Sequence, residues 1–241
     1  MRLRLIGVKA VLGFLTIIPV NGSELEETAE HAWLFPVIGA LMALIAVSLG
    51  YALTYILSRG ISLALTFFVL LLLTGFHHLD GLLDIGDALM VRKSSEERLR
   101  VLHDSRVGAG GFGLAFFVLL VSYSALIETG EPFRALIAAE TLAKFAMVLG
   151  MYVGRPSHSG IGSTFIEVVS RDKRQLILAL LSCLILIIPL TMTKGLGLLL
   201  ATVVFTLLLV RLFERAFNGI GGDAFGAINE LVRMLVLVVI T

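Results

Sequence analysis

Four polar side chains sit near the end of a long apolar run: His77, Asp80, Asp84 and Asp87, spaced three, four and three apart. On a helix this spacing stacks all four on one face, one turn above another. Like charges so placed repel. Beside an apolar span they call for a cation, and a hard divalent ion with oxygen ligands suits them. Mg²⁺ usually keeps waters and binds through a few carboxylates plus substrate phosphates. The chemistry expected of Asp80, Asp84 and Asp87 is therefore metal binding beside a phosphate or diphosphate. Gly81 and Gly86 leave room for close neighbours. The competing reading is a set of acids that caps a span at the water interface.

Three further groups carry candidate chemistry. His103-Asp104-Ser105-Arg106 leads into Gly108, Gly110 and Gly111. Glycines at a helix N-terminus bare N–H groups and the positive dipole end to an anion. Asp104 could add a metal ligand, Arg106 could clamp a phosphate with its planar fork, and Ser105 and Gly108 join them as substrate-binding candidates. Glu140 and Lys144 lie four apart inside an apolar segment, where ionisable groups are costly and are functional or paired. Arg155 is a candidate phosphate ligand, whereas His158 reads as a solvated histidine. Asp223 and Glu230, seven apart after a glycine-rich stretch, share one helix face.

Positioning these groups falls to apolar segments. Of 241 residues, 58% are hydrophobic and 15% charged. The apolar residues come in blocks near a membrane-crossing length, which predicts an all-α, polytopic membrane bundle and excludes an alternating barrel. About six or seven transmembrane helices are expected, near 33–57, 61–90, 108–127, 134–153, 176–193 and 196–213, with 224–241 as the seventh. Ser58 to Gly60 reads as a tight turn, 91–107 and 154–175 as polar loops, and 21–32 as an acidic loop or short helix. Residues 5–20 are too short for a span and read as an interfacial or re-entrant helix. Lys9 within that run, and the lack of an Ala-x-Ala-like site, argue against a cleaved signal. The whole of 1–241 reads as a single integral membrane domain. The lone Cys183 excludes an intrachain disulfide or thiolate cluster and reads as a buried inert thiol.

Charge placement sets an orientation. If 91–107 is cytoplasmic, then Arg2, Arg4, Lys9, Arg92, Lys93, Arg98, Arg100, Arg106, Arg155, Arg171, Lys173, Arg174, Arg211, Arg215 and Arg233 all fall inside. Arg59, Arg134 and Lys194 fall outside. Every motif-like loop then faces the cytoplasm, which places the protein in the cell (inner) membrane. The lack of a phosphate-binding P-loop argues against an ATP-driven pump. Glu96 and Glu97 in the basic loop, without interleaved aromatics, leave nucleic acid unsupported as a partner. Lipid is the expected surrounding, and a homo-oligomer stays open.

Taken together, His78-Leu-Asp80-Gly81-Leu-Leu-Asp84 with Asp87, Asp104-Ser-Arg106-x-Gly108, and Gly222-Asp223-x-x-Gly226-Ala227 with Glu230 resemble the cobalamin synthase family. Phe14-Leu-Thr-Ile-Ile-Pro19 and Phe35-Pro36-x-x-Gly39 are similar to that family's N-terminal segment. The resemblance covers nearly the whole chain. It departs at Ile220-Gly-Gly222-Asp223, where the family has Thr-Gly before its Asp.

The resemblance implies a Mg²⁺-dependent membrane transferase. It would join adenosylcobinamide-GDP to α-ribazole, or to α-ribazole 5′-phosphate, releasing GMP in the final nucleotide-loop assembly step of vitamin B12 synthesis. Asp80, Asp84, Asp87 and Asp104 would hold metal, and Arg106 and Arg155 would neutralise charge on the leaving GMP. His77, His78 or a carboxylate would take the proton from the ribazole 5′-hydroxyl. Lys144, Asp223 and Glu230 would contact substrate. Glycines at 108–113 and 219–226 would permit the wide opening a corrinoid needs. One alternative is a CDP-alcohol phosphotransferase, whose Asp-x-x-Asp-Gly-x-x-Ala-Arg order this chain lacks. An ion-coupled transporter is the other.

Overall fold

A computed structural model describes residues 2–20, 24–92, 94–104 and 106–241, leaving Lys93 and the candidate Ser105 outside the described residues. The described chain is helical throughout. In order it forms α1 (Arg2–Leu15), α2 (Leu25–Glu30), α3 (Phe35–Leu53), α4 (Arg59–Leu73), α5 (His77–Met90) and α6 (Ser95–Leu102). Then come α7 (Ala109–Glu128), α8 (Pro132–Val153), α9 (Ile161–Arg171), α10 (Lys173–Thr191), α11 (Gly195–Phe217) and α12 (Gly222–Ile240).

Among the described residues five helices are long and apolar enough to cross a membrane, α3 with the 3-10 turn before it, α7, α8, α10 and α11, or six if the bent pair α4 and α5 counts as one span. Burial sorts them. In α8, 83% of the most apolar stretch is buried, against 28% in α10 and 33% in α7 and α11. The central helix is therefore α8, and the others turn apolar side chains such as Phe116, Ile185 and Leu208 outward. On a soluble protein such a surface would be a liability; in lipid it is the expected exterior. Against α8 packs α12, which carries Asp223, Glu230 and Arg233 and buries most of its length. The first helix, α1, has 14 residues and spans about 21 Å at 1.5 Å per residue. That is short of the ~30 Å hydrocarbon core.

The expected second span, 61–90, is not one helix. It breaks at Thr74–Phe76, and α5 leaves α4 at 88°. The break is a helix stop built from local sequence. Gly75 and Phe76 both have left-handed backbones, at φ +60° and +59°. The Phe76 N–H donates to Leu71 O at 3.1 Å and the Gly75 N–H to Leu72 O at 2.9 Å, a Schellman termination. Thr74-Gly75 carries that signal, although leucines before it and apolar residues after it mask the boundary. With this bend, α5 does not continue the path of α4 and lies outside the five spans.

Other boundaries also move. Arg59 and Gly60 belong to the first turn of α4, not to a turn before it. The two polar loops contain short helices, α6 and α9. In α9 apolar Phe165, Ile166 and Val169 fall on one buried face, so the segment is amphipathic.

Loops gather at two ends. At one end Arg59 donates to Thr129 O at 2.6 Å, and Lys194 to Ile240 O at 2.8 Å. At the other, Arg155 reaches Glu214, Arg98 donates to Ala216 O, and the 154–158 loop pairs with Ile220. Every polar motif singled out above, except Glu140, Lys144 and Glu230, collects at this second end.

Candidate active site

Helix α5 is held in place by two close crossings. A Cβ on Gly81 would lie 2.9 Å from the Cα of Asp223 on α12, and one on Gly86 would lie 2.8 Å from the Cα of Gly111 on α7. Neither position admits a side chain without a shift. These contacts bring the α5 acids beside the first turn of α12. Asp84 is half-buried and carries the fields of Asp223, Asp80 and Asp87, with an opposing one from His103. Asp223 in turn feels His103, Asp80 and His158. The His103 and His158 rings meet edge to face at 5.1 Å. His103 opens the His103–Arg106 group but carries no role of its own in the sequence, and no local pattern announces that it will come near acids of α5 and α12 and the His158 ring.

Asp80 and Asp223 also line a cavity of about 420 Å³. Its other walls come from α1 (Phe14), α8 (Met147, Met151), α9 (Phe165) and α12 (Phe225, Gly226), with His77 and His78 alongside. His77 is exposed. His78 is buried at 7% exposure, and its Nδ1 has no partner among the described residues. A buried imidazole nitrogen left unpaired is unfavourable.

The structure redistributes several expected roles. Both oxygens of Asp87 are already engaged. Oδ2 accepts from the Gly108 N–H at 2.6 Å and Oδ1 from the Gly111 N–H at 2.8 Å. Asp87 thus caps the α7 N-terminus from a neighbouring helix, and the Gly108 N–H expected to face an anionic substrate faces Asp87. Asp104 and Arg106 pair with each other, Nε to Oδ1 at 2.9 Å and Nη2 to Oδ2 at 2.6 Å. Side-chain and backbone hydrogen bonds from Arg106 hold the Asp104 carboxyl down to about 2. Arg155 stays exposed, its N–H and Nε donating to Glu214 at 3.0 and 3.3 Å.

Lys144 and Glu230 are not at the cavity. They sit inside the bundle in a buried charge network. Lys144 Nζ donates to Glu140 Oε1 at 2.5 Å and Asn229 Oδ1 at 2.7 Å. Arg233 donates to Glu140 Oε2 at 3.2 Å and to Glu230, and lies 5.1 Å over the Phe67 ring. Two carboxylates and two cations balance inside α8 and α12, the arrangement a low-dielectric interior demands. Arg233, expected at the cytoplasmic boundary, belongs to this network and does not count toward orientation.

Among the described residues no three His, Cys, Asp or Glu side chains form a ready-made metal cage. What the site does offer is a crowded acidic edge, Asp80, Asp84 and Asp223, bordering a mostly apolar cavity.

The family described as Cobalamin-5-phosphate synthase matches residues 7–241. The adenosylcobinamide-GDP ribazoletransferase of Pyrococcus abyssi is 32% identical over 236 residues, covering 97% of each chain. That of Halorubrum lacusprofundi is 36% identical over 250 residues, 97% of this chain and 95% of the relative. That of Thermococcus kodakarensis is 35% identical over 241 residues, 96% of each. No solved structure matches. With nearly its whole length matched, the chain belongs to the Cobalamin-5-phosphate synthase family.

Proposed function

We propose that this chain is an adenosylcobinamide-GDP ribazoletransferase that depends on Mg²⁺ and works at the cytoplasmic face of the cell membrane. The observation that carries the reading is the acidic edge of Asp80, Asp84 and Asp223, of which Asp80 and Asp223 line the cavity, in a chain of this family. The reaction forms a bond from an acceptor ribose oxygen to the cobinamide-side phosphorus and breaks the diphosphate bridge. GMP leaves with the bridging oxygen, and the acceptor hydroxyl loses its proton.

The family's name specifies a product that keeps its 5-phosphate. A 5′-oxygen that carries phosphate cannot be the nucleophile, so the expected 5′-hydroxyl attack is replaced by attack from a ring hydroxyl of the ribose. His77, exposed one turn before Asp80, is better placed to take that proton than buried His78.

Exposed Asp80 beside half-buried Asp84 and Asp223 fits a divalent ion, because like charges there repel until one is bound. Asp80, Asp84 and Asp223 would hold it. Asp87 and Asp104 are committed to backbone and arginine partners. Few protein ligands suffice for Mg²⁺ when substrate phosphates complete its shell. When bound, the ion would neutralise the diphosphate and stabilise entering and leaving oxygens. Arg155 would meet the leaving phosphate by turning from Glu214; catalysis of this type is mainly positioning and charge stabilisation.

The orientation rests on the Lys/Arg bias. Arg92, Arg98, Arg100, Arg106, Arg155, Arg171, Lys173, Arg174, Arg211 and Arg215 lie at the active-site end or in its loops. Arg59, Arg134 and Lys194 lie at the other. The test is GMP release by purified protein supplied with adenosylcobinamide-GDP, α-ribazole 5′-phosphate and Mg²⁺. Release that stays at background with Mg²⁺ present, or turnover of CDP-alcohols instead, would overturn the assignment.

A further inference from the structure

The two substrates of the proposed reaction differ in size. One is a corrinoid joined to a nucleotide through a diphosphate; the other is a riboside 5′-phosphate whose base is small, flat and aromatic. The cavity discriminates between them. Its volume, about 420 Å³, falls within the roughly 300–1,000 Å³ typical of sites for a single drug-sized molecule. A corrinoid macrocycle with its nucleotide is several times larger than such a ligand.

The lining points the same way. Among the described residues no Lys or Arg lines the cavity, so the phosphates of either substrate belong at the acidic edge, where the proposed ion would meet them. The wall opposite the carboxylates and His77 and His78 is rich in aromatic and thioether side chains: Phe14, Phe165, Phe225, Met147 and Met151. Ring faces and polarizable thioethers suit a flat aromatic guest. This wall is itself ordered. The Phe14 ring packs on Phe165 at 4.8 Å, and Phe35 backs both at 6.1 and 5.8 Å. That stack fixes α1 over the cavity, giving the short N-terminal helix a task that neither spanning nor anchoring supplies.

We propose that this cavity is the acceptor subsite. The aromatic base of the ribazole lies between Phe14, Phe165, Phe225 and the two methionines, and its ribose projects past Asp80 and Asp223 toward the phosphorus. The donor then stays outside, with only its diphosphate at the acidic edge. This assignment rests on the transferase reading above.

Narrowing and widening the cavity tests it. In purified protein, Met151→Phe raises KM for α-ribazole 5′-phosphate about tenfold or more, while KM for adenosylcobinamide-GDP changes less than about twofold. Met151→Ala shifts kcat/KM about fivefold or more toward a riboside with a bulkier fused-ring base. If Met151→Phe does not fold, the Met151→Ala ratio decides. A rise in donor KM with acceptor KM unmoved, or an unchanged ratio in Met151→Ala, overturns the subsite alone. A wild-type protein that releases no GMP overturns the transferase reading and the subsite with it.

Discussion

Asp87 on α5 and Gly108 before α7 are joined by a 2.6 Å hydrogen bond from the Gly108 N–H to the carboxylate, and the Gly111 N–H bonds the other oxygen at 2.8 Å. The acid that looked like a third metal ligand is the cap of a helix distant in sequence. Asp87→Ala therefore removes a charged cap, a loss of about 1–2 kcal/mol. It lowers the thermal midpoint in detergent and leaves the Mg²⁺ concentration for half-maximal activity unchanged in the folded fraction. A large rise in that Mg²⁺ requirement, with stability intact, would return Asp87 to the metal set.

Asp80 and Asp84 have no such structural partner among the described residues. Asp80→Asn and Asp84→Asn are each expected to cut Mg²⁺-dependent GMP release about 100-fold or more, as removal of a transition-state charge partner does. Both variants should insert and melt like the parent. Full activity in both would sink the proposed acidic edge.

The buried network makes the opposite prediction. Arg233→Ala leaves Glu140 and Glu230 facing only Lys144, in a region where all four charged groups are at most 1% exposed. Breaking a buried pair from one side costs about 3–5 kcal/mol. Chemical denaturation should show a loss of that size, or the protein should fail to accumulate. A melting point within a degree or two of the parent's would mean that the network is dispensable.

Gly75 sets the direction of α5. Its φ of +60° disfavours any Cβ, and one added there would lie 2.9 Å from Ile17 Cγ2 and 3.1 Å from His77 Nε2. Gly75→Ala should destabilise by about 1–2 kcal/mol. It should also reduce kcat, because the bend that turns Asp80 and Asp84 toward Asp223 would shift. Unaltered stability and kcat would show that the α4–α5 angle is not held there.

Much of this was legible in the chain. Apolar blocks announced spans because a helix in lipid must be apolar along its length, and α3, α7, α8, α10 and α11 follow those blocks closely. The pairing of Glu140 with Lys144 followed from spacing, since residues four apart on a helix are neighbours. The one-face stacking of Asp80, Asp84 and Asp87 likewise needed only helical geometry.

Partners distant in sequence were decided by the fold alone. Spacing says which side chains share a face but not what that face meets. Asp84 came beside Asp223, Asp87 met Gly108, Lys144 met Asn229, and Arg233 met Glu140, each by helix crossing. The break at Gly75 belongs to both levels. The residue type permitted a left-handed stop, but the surrounding apolar run concealed it. The packing of Gly81 on α12 and Gly86 on α7 then holds α5 in its turned path.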